Sequence, residues 1–66
     1  MKLKNRLKVV MAEKDMQVIE LARKTGLHPN YISALRNDRK EPGIYNVLLI
    51  ADTLNVRVED IWSISE

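Results

Sequence analysis

The residues on either side of Gly26 restrict the fold of this chain more than any other part of its sequence. Small and apolar residues occur there at helical spacing, in two groups with the glycine between them. Glycine adopts a left-handed backbone conformation without steric cost, which suits the turn after a helix. The pattern therefore predicts two short helices, over residues 17–24 and 29–36, joined by a tight turn. The residues that carry it are Leu21, Ala22, Leu27, Ile32 and Leu35.

Apolar stripes predict two further helices, a first over residues 2–13 and a fourth over residues 44–54. Asn55 suits the end of the fourth helix, because asparagine tolerates the left-handed cap conformation. The side chains expected to be buried are Leu3, Leu7, Val10 and Met11 in the first helix, and Ile44, Val47, Leu48, Ala51 and Leu54 in the fourth.

A short fifth helix is predicted over residues 58–63. Glu59 and Asp60 lie in its first turn, where carboxylates oppose the positive end of the helix dipole. Ile61 and Trp62 are expected to pack back on the core. The predicted fold is therefore all-α, a compact five-helix domain over residues 1–66 with a helix-turn-helix at about residues 17–36.

Length and composition limit how such a domain can be stabilised. A chain of 66 residues buries only about 60% of the surface that it exposes when unfolded. No cysteine is present, so stability must come from helix packing or from oligomerisation. No apolar run reaches the ~20 residues of a membrane span, and no signal peptide precedes the first charges. We therefore expect a cytoplasmic protein without a membrane partner.

Charge is divided unevenly along the chain. Residues 1–40 carry ten Lys or Arg against four Asp or Glu, a net charge of +6. Residues 41–66 carry one Arg against five acidic residues, a net charge of −4. This division would orient a polyanion toward the first part of the chain. An ordinary solvated surface with uneven charge explains the same counts equally well.

Several segments match one known family in register over nearly the whole chain. They are Asn5-Arg6-Leu7-Lys8, Glu20 to Leu27, Asn30 to Leu35, Pro42, Ile50-Ala51, Leu54-Asn55-Val56 and Val58 to Ile61. In these segments the chain resembles the Cro/phage-repressor-type (XRE-like) helix-turn-helix regulators, in their minimal stand-alone form. The resemblance implies a lambda-repressor-like fold whose third helix reads double-stranded DNA.

Helix geometry indicates which side chains the third helix would offer to DNA. With Ile32 and Leu35 directed at the core, residues on the opposite face are free to enter the major groove. Asparagine can pair with an adenine edge, and an alanine methyl group can contact thymine. An ordinary solvated helix face is the alternative interpretation. The predicted base-reading residues are Asn30, Ser33, Ala34 and Tyr31. Tyr31 lies toward the flank of the helix, where it could instead reach a phosphate or stack along the sugar edge.

Phosphate contacts are expected from residues around this helix and at the start of the second helix, whose free N–H groups favour anions. The predicted phosphate-contacting residues are Gln17, Asn37, Arg39 and Lys40. Three positions depart from the family pattern, which commonly has Gln, Ser and Gly where this chain has Val18, His28 and Asp38. We expect weaker or shifted DNA contacts at these positions.

Surplus apolar residues predict a surface for a protein partner. The expected interface residues are Tyr45, Leu49, Trp62 and Ile64. A homodimer would place two DNA-reading helices about one DNA turn (~34 Å) apart, which is consistent with a repressor that acts by occupying its operator. The alternatives are scattered surface hydrophobics, or an antitoxin-like protein-interaction module built on the same fold.

Catalytic function has little support in the sequence. His28 is the only histidine, no cysteine nucleophile exists, and the acidic residues match no metal-binding motif. We therefore expect no enzyme activity, no cofactor and no metal site.

Overall fold

The computed structural model describes the backbone of residues 2–65 and the side chains of residues 3–64. Met1 and Glu66, the ends of the predicted domain, lie outside the described residues. The elements in chain order are β1 (Lys2–Asn5), α1 (Leu7–Glu13), α2 (Val18–Thr25), α3 (Pro29–Arg36), α4 (Ile44–Leu54), a 3-10 turn (Val58–Asp60) and β2 (Trp62–Ser65). The predicted all-α helix-turn-helix class is confirmed. The count of five helices is wrong, because residues 2–65 form four α-helices and a small β-hairpin.

The start of the predicted first helix is a strand instead. β1 pairs antiparallel with β2, and this pairing places Leu3 opposite Ile64 and Asn5 opposite Trp62. A basic–apolar–basic alternation suits a strand as well as the helical spacing from Leu3 to Leu7 suits a helix. The partner strand lies at the other end of the chain, so local periodicity could not decide between them. Leu3 is consequently exposed rather than buried.

The predicted fifth helix ends after a single turn. The Asp60 carboxylate accepts a hydrogen bond of 3.0 Å from the Arg57 N–H. The Ile61 carbonyl accepts one of 2.7 Å from the Arg6 N–H, which draws the chain into the hairpin. Ile61 and Trp62 are 1% and 6% exposed, so the prediction that they pack on the core is confirmed.

One apolar core unites the four helices and the C-terminal segment. In α4 the predicted burial of Ile44 and Leu48 is wrong, since they are 76% and 54% exposed. They lie about 70° and 110° from the centre of the buried stripe at 100° per residue. Ile50 is buried in their place. The buried side chains are Leu7, Val10, Met11, Leu21, Ala22, Ile32, Leu35, Val47, Ile50, Ala51, Leu54, Ile61 and Trp62.

Candidate nucleic-acid interface

Two capped helix ends hold α3 against α2. Gly26 has a φ of 78° and ends α2, with its N–H donating to the Ala22 carbonyl at 2.8 Å. His28 caps the start of α3, because its Nδ1 accepts a hydrogen bond of 3.0 Å from the Asn30 N–H. Histidine thus satisfies the helix end in place of serine. Ile32 and Leu35 are fully buried, which leaves the opposite face of α3 outward.

The outward face of α3 brings together half of the residues predicted to touch DNA. Asn30 is exposed, and Ser33 and Ala34 are partly exposed one turn later. Asn37 follows at the C-terminal cap, with its Nδ2 3.5 Å from the Ser33 hydroxyl. Amide, hydroxyl and methyl groups therefore occur together on a surface of the kind that reads base edges.

Tyr31 lies apart from this face. Its hydroxyl accepts a hydrogen bond of 2.8 Å from Asn46 Nδ2 on α4. The Lys40 Nζ atom lies 5.7 Å from the centre of its ring, within the range of a cation–π contact. Tyr31 thus joins the flank of α3 to α4, and the structure does not bring it together with Asn30, Ser33 and Ala34. Nothing in the sequence around Asn46 indicated this contact.

A basic loop leaves the end of α3. Asp38 has a φ of 64°, a left-handed conformation that aspartate tolerates at the position where glycine is common. Its carboxylate accepts a hydrogen bond of 3.2 Å from Asn5 Nδ2. The Arg39 N–H then donates to the Ala34 carbonyl at 2.8 Å, which folds the loop back onto α3. Arg39 and Lys40 are exposed and make no salt bridge within residues 2–65.

A second group of polar side chains surrounds the start of α2. Gln17 is the N-terminal cap residue, and its side chain makes no capping bond. It borders a cleft of about 230 Å³ together with Lys8 and Arg36. The Arg36 Nε atom is buried there and has no hydrogen-bond partner among the side chains and backbone that the structure describes. Lys8 and Arg36 were not among the residues predicted to contact DNA, although each follows a core leucine in the sequence. Val18 is partly buried against the core, so it serves packing rather than a polar contact.

The predicted partner surface is larger on α4 than expected and lacks one predicted member. Tyr45 is 73% exposed, and with Ile44 and Leu48 it forms what we term the α4 apolar face. Leu49 is partly buried and helps to line an open cleft of about 540 Å³ beside this face. Ile64 is exposed on β2, whereas Trp62 is buried and leaves almost no surface for a partner.

Other kinds of site find no support in the described part of the chain. No three His, Cys, Asp or Glu side chains lie close enough to hold a metal ion among the described residues. None of the helices within residues 2–65 is long and apolar enough to cross a membrane.

Comparisons with known proteins agree with this geometry. Residues 6–66 match the model of the Cro/C1-type HTH DNA-binding domain. A protein from Bacteroides fragilis, provisionally described as DNA-binding, is 31% identical over 94% of this chain and 100% of its own, with a TM-score of 0.87. The biofilm master regulator SinR, solved in complex with DNA, is 29% identical over 82% of this chain and 87% of its own, with a TM-score of 0.76.

The fold extends to a more distant protein. The restriction-modification controller C.AhdI from Aeromonas hydrophila is 22% identical, with a TM-score of 0.78 over 83% of each chain. No curated protein matches the chain. Because the family model covers all but the first five residues, the chain belongs to the family of Cro/C1-type helix-turn-helix DNA-binding domains.

Proposed function

We propose that this protein regulates transcription by binding a specific double-stranded DNA sequence, and that it represses by occupying its operator as a homodimer. The observation that carries the proposal is the outward face of α3, with exposed cations beside it that no carboxylate neutralises within the described residues. SinR, which has been solved with DNA, shares the fold at 29% identity. That likeness supports a DNA ligand for the same face.

Each group on this surface has a proposed role. Asn30, Ser33 and Ala34 read base edges, since they present donors, acceptors and a methyl group from an exposed helix face. The residues proposed to contact phosphates are Gln17, Asn37, Arg39 and Lys40, which lie around that face and position the protein on the duplex.

The α4 apolar face is proposed as the main contact between two copies. Isolated exposed apolar residues are ordinary, but Ile44, Tyr45 and Leu48 adjoin one another at helical spacing beside an open cleft. Leu49 and Ile64 are the further interface residues that we propose. A two-fold dimer suits a DNA reader, because one copy has one α3 helix and a palindromic operator has two half-sites.

The experiment is a binding-site selection followed by salt titrations on the selected duplex and on random duplex. We expect Asn30→Ala to lower the preference for the selected sequence about tenfold or more, since it removes a base contact. Arg39→Ala should weaken binding to both duplexes and reduce the slope of log K against log salt by about 1.8, since it removes one phosphate contact from each of the two copies.

Equal affinity of the wild type for selected and random duplex would contradict the proposed sequence specificity. The assigned roles would be contradicted if Asn30→Ala weakened binding to both duplexes equally and Arg39→Ala lowered only the preference for the selected sequence. Lys4→Ala is the control for Arg39→Ala, since Lys4 is an exposed cation on β1.

A second function is favoured by the cleft beside the α4 apolar face. Its apolar lining also suits a helix of a different protein, as in an antitoxin-like module. Selection that enriches no DNA sequence, together with a stable complex with another protein through α4, would favour this function over operator binding.

A further inference from the structure

We propose that Tyr31, Asn46 and Lys40 together bind one phosphate of the DNA backbone, on the side of α3 that faces α4. The inference rests on the proposed function, because it assigns these residues a partner within the bound duplex. Of the two roles that the sequence allows for Tyr31, base reading and a phosphate contact, it assigns the phosphate contact and adds Asn46 as the residue that positions the phenol.

The hydrogen bond between Asn46 and Tyr31 prepares the phenol to donate. A tyrosine hydroxyl has one proton to donate and can also accept. Its acceptor side is occupied by Asn46 Nδ2 at 2.8 Å. Within the described residues the hydroxyl donates to no other group. Its proton is therefore available to an external acceptor, and Asn46 acts as a positioning residue for the phenol.

Lys40 adds a positive charge next to this donor. Its Nζ atom lies 5.7 Å from the ring centre of Tyr31 and makes no salt bridge within residues 2–65. The aromatic face attracts the ammonium group, which keeps it near the phenol at little cost in lost freedom. An anion with several acceptor oxygens is the ligand that best matches an ammonium group and a phenol proton together. A backbone phosphate has this chemistry.

The position of Tyr31 on the flank of α3 indicates that it contacts a phosphate of the DNA backbone rather than a base. An α-helix with its side chains is about 10–12 Å wide, and the major groove is about 12 Å wide. A helix in the groove therefore presents its outward face to the bases and its flanks to the two sugar-phosphate backbones. Tyr31 lies on the flank toward α4, whereas Asn30 and Ser33 lie on the outward face.

The test compares variants on the selected duplex and on random duplex across a range of salt. Tyr31→Phe keeps the ring and the Lys40 contact and removes only the hydroxyl. We expect it to weaken binding to both duplexes about tenfold, with an unchanged salt slope, because the lost donor is neutral. Lys40→Gln should instead reduce the salt slope by about 1.8, because each of the two copies loses one charged contact.

Asn46→Ala tests whether Asn46 acts by positioning the Tyr31 hydroxyl or contacts the DNA itself. In the wild-type background it should weaken binding several-fold, and in the Tyr31→Phe background it should have almost no further effect. Thr53→Ala is the matched control, since Thr53 is a partly buried polar residue of α4 that lies outside the site and donates its hydroxyl proton to the Leu49 carbonyl of its own helix. Circular dichroism of each variant checks that its fold is retained.

A duplex with one neutral methylphosphonate at the contacted position identifies the phosphate directly. It should lower the affinity of the wild type and leave the affinity of the double variant Tyr31→Phe with Lys40→Gln nearly unchanged. Tyr31→Phe binding as tightly as the wild type, or losing preference at a single base pair, would overturn this site alone. A wild type without affinity for any duplex would instead overturn the function on which the site rests.

Discussion

Asn5 connects three parts of the molecule through one side chain. Its Oδ1 accepts a hydrogen bond of 2.9 Å from the Leu7 N–H at the start of α1. Its Nδ2 donates to the Leu35 carbonyl at 2.7 Å and to the Asp38 carboxylate at 3.2 Å. The residue that ends β1 thus also fastens the C-terminal end of α3, the helix proposed to read DNA.

Replacing Asn5 should therefore cost more stability than its partly exposed position indicates. For Asn5→Ala we expect the free energy of unfolding to fall by about 2 kcal/mol, since a helix cap and a bond to a helix carbonyl are both lost. Urea denaturation measures this as a lower midpoint with an unchanged slope. Asn37→Ala is the control, with an expected loss below about 0.5 kcal/mol. Equal losses for the two variants would show that the Asn5 contacts contribute little.

At the scale of elements, one glycine ends a helix and another precedes one, and their backbone conformations differ. Gly26 ends α2 with a positive φ of 78°, whereas Gly43 precedes α4 with a φ of −75° that any residue adopts. Beyond the adjacent residues of the chain, a Cβ atom at either position would meet no heavy atom of the described residues within 4 Å. Backbone conformation alone therefore decides what a side chain would cost at each glycine.

The same substitution at the two glycines should have opposite effects. Gly26→Ser should lower the free energy of unfolding by about 1–2 kcal/mol, because serine is strained in the left-handed conformation. Gly43→Ser should raise it by about 0.5 kcal/mol, because serine caps helices and restricts the unfolded chain. Thermal or urea denaturation of both variants checks the signs. A stabilised Gly26→Ser variant would contradict the left-handed turn between α2 and α3.

At the scale of the whole molecule, the basic and the acidic part of the chain form different surfaces. The part of the chain with a net charge of +6 includes α3 and most of the basic loop after it, and the part with −4 includes α4 and β2. The molecule is 34 Å long and 20 Å across. One copy has a single α3 helix, so reading two half-sites about 34 Å apart requires a second copy.

A charge on the α4 apolar face should separate the proposed dimer. Leu48→Glu places two carboxylates at an apolar contact, so sedimentation should show a shift toward the monomer and weaker binding to a two-site duplex. Val9→Glu is the control, since Val9 is an exposed apolar residue on α1 and the added charge is the same. A dimer that persists in Leu48→Glu would exclude this face as the interface.

The candidate site was predictable where one helix determines it. Asn30, Ser33 and Ala34 follow from a 100° rotation per residue once Ile32 and Leu35 define the buried side. The contact between Tyr31 and Asn46 was not predictable, because it depends on how α4 lies against α3. The surroundings of Arg36 were not predictable for the same reason, since they come from α1 and from the segment that precedes α2.

The sequence by itself determined the family, the helix-turn-helix and the ends of α2 and α3, because local periodicity, glycine and capping residues determine those features over a few residues. Only the tertiary structure decided that residues 2–5 are a strand, that Trp62 is too buried to serve the expected interface and that Ile44 and Leu48 are exposed. These outcomes depend on partners from distant parts of the chain. A short apolar segment forms a helix or a strand according to which surface it meets, and that surface exists only when the chain has folded.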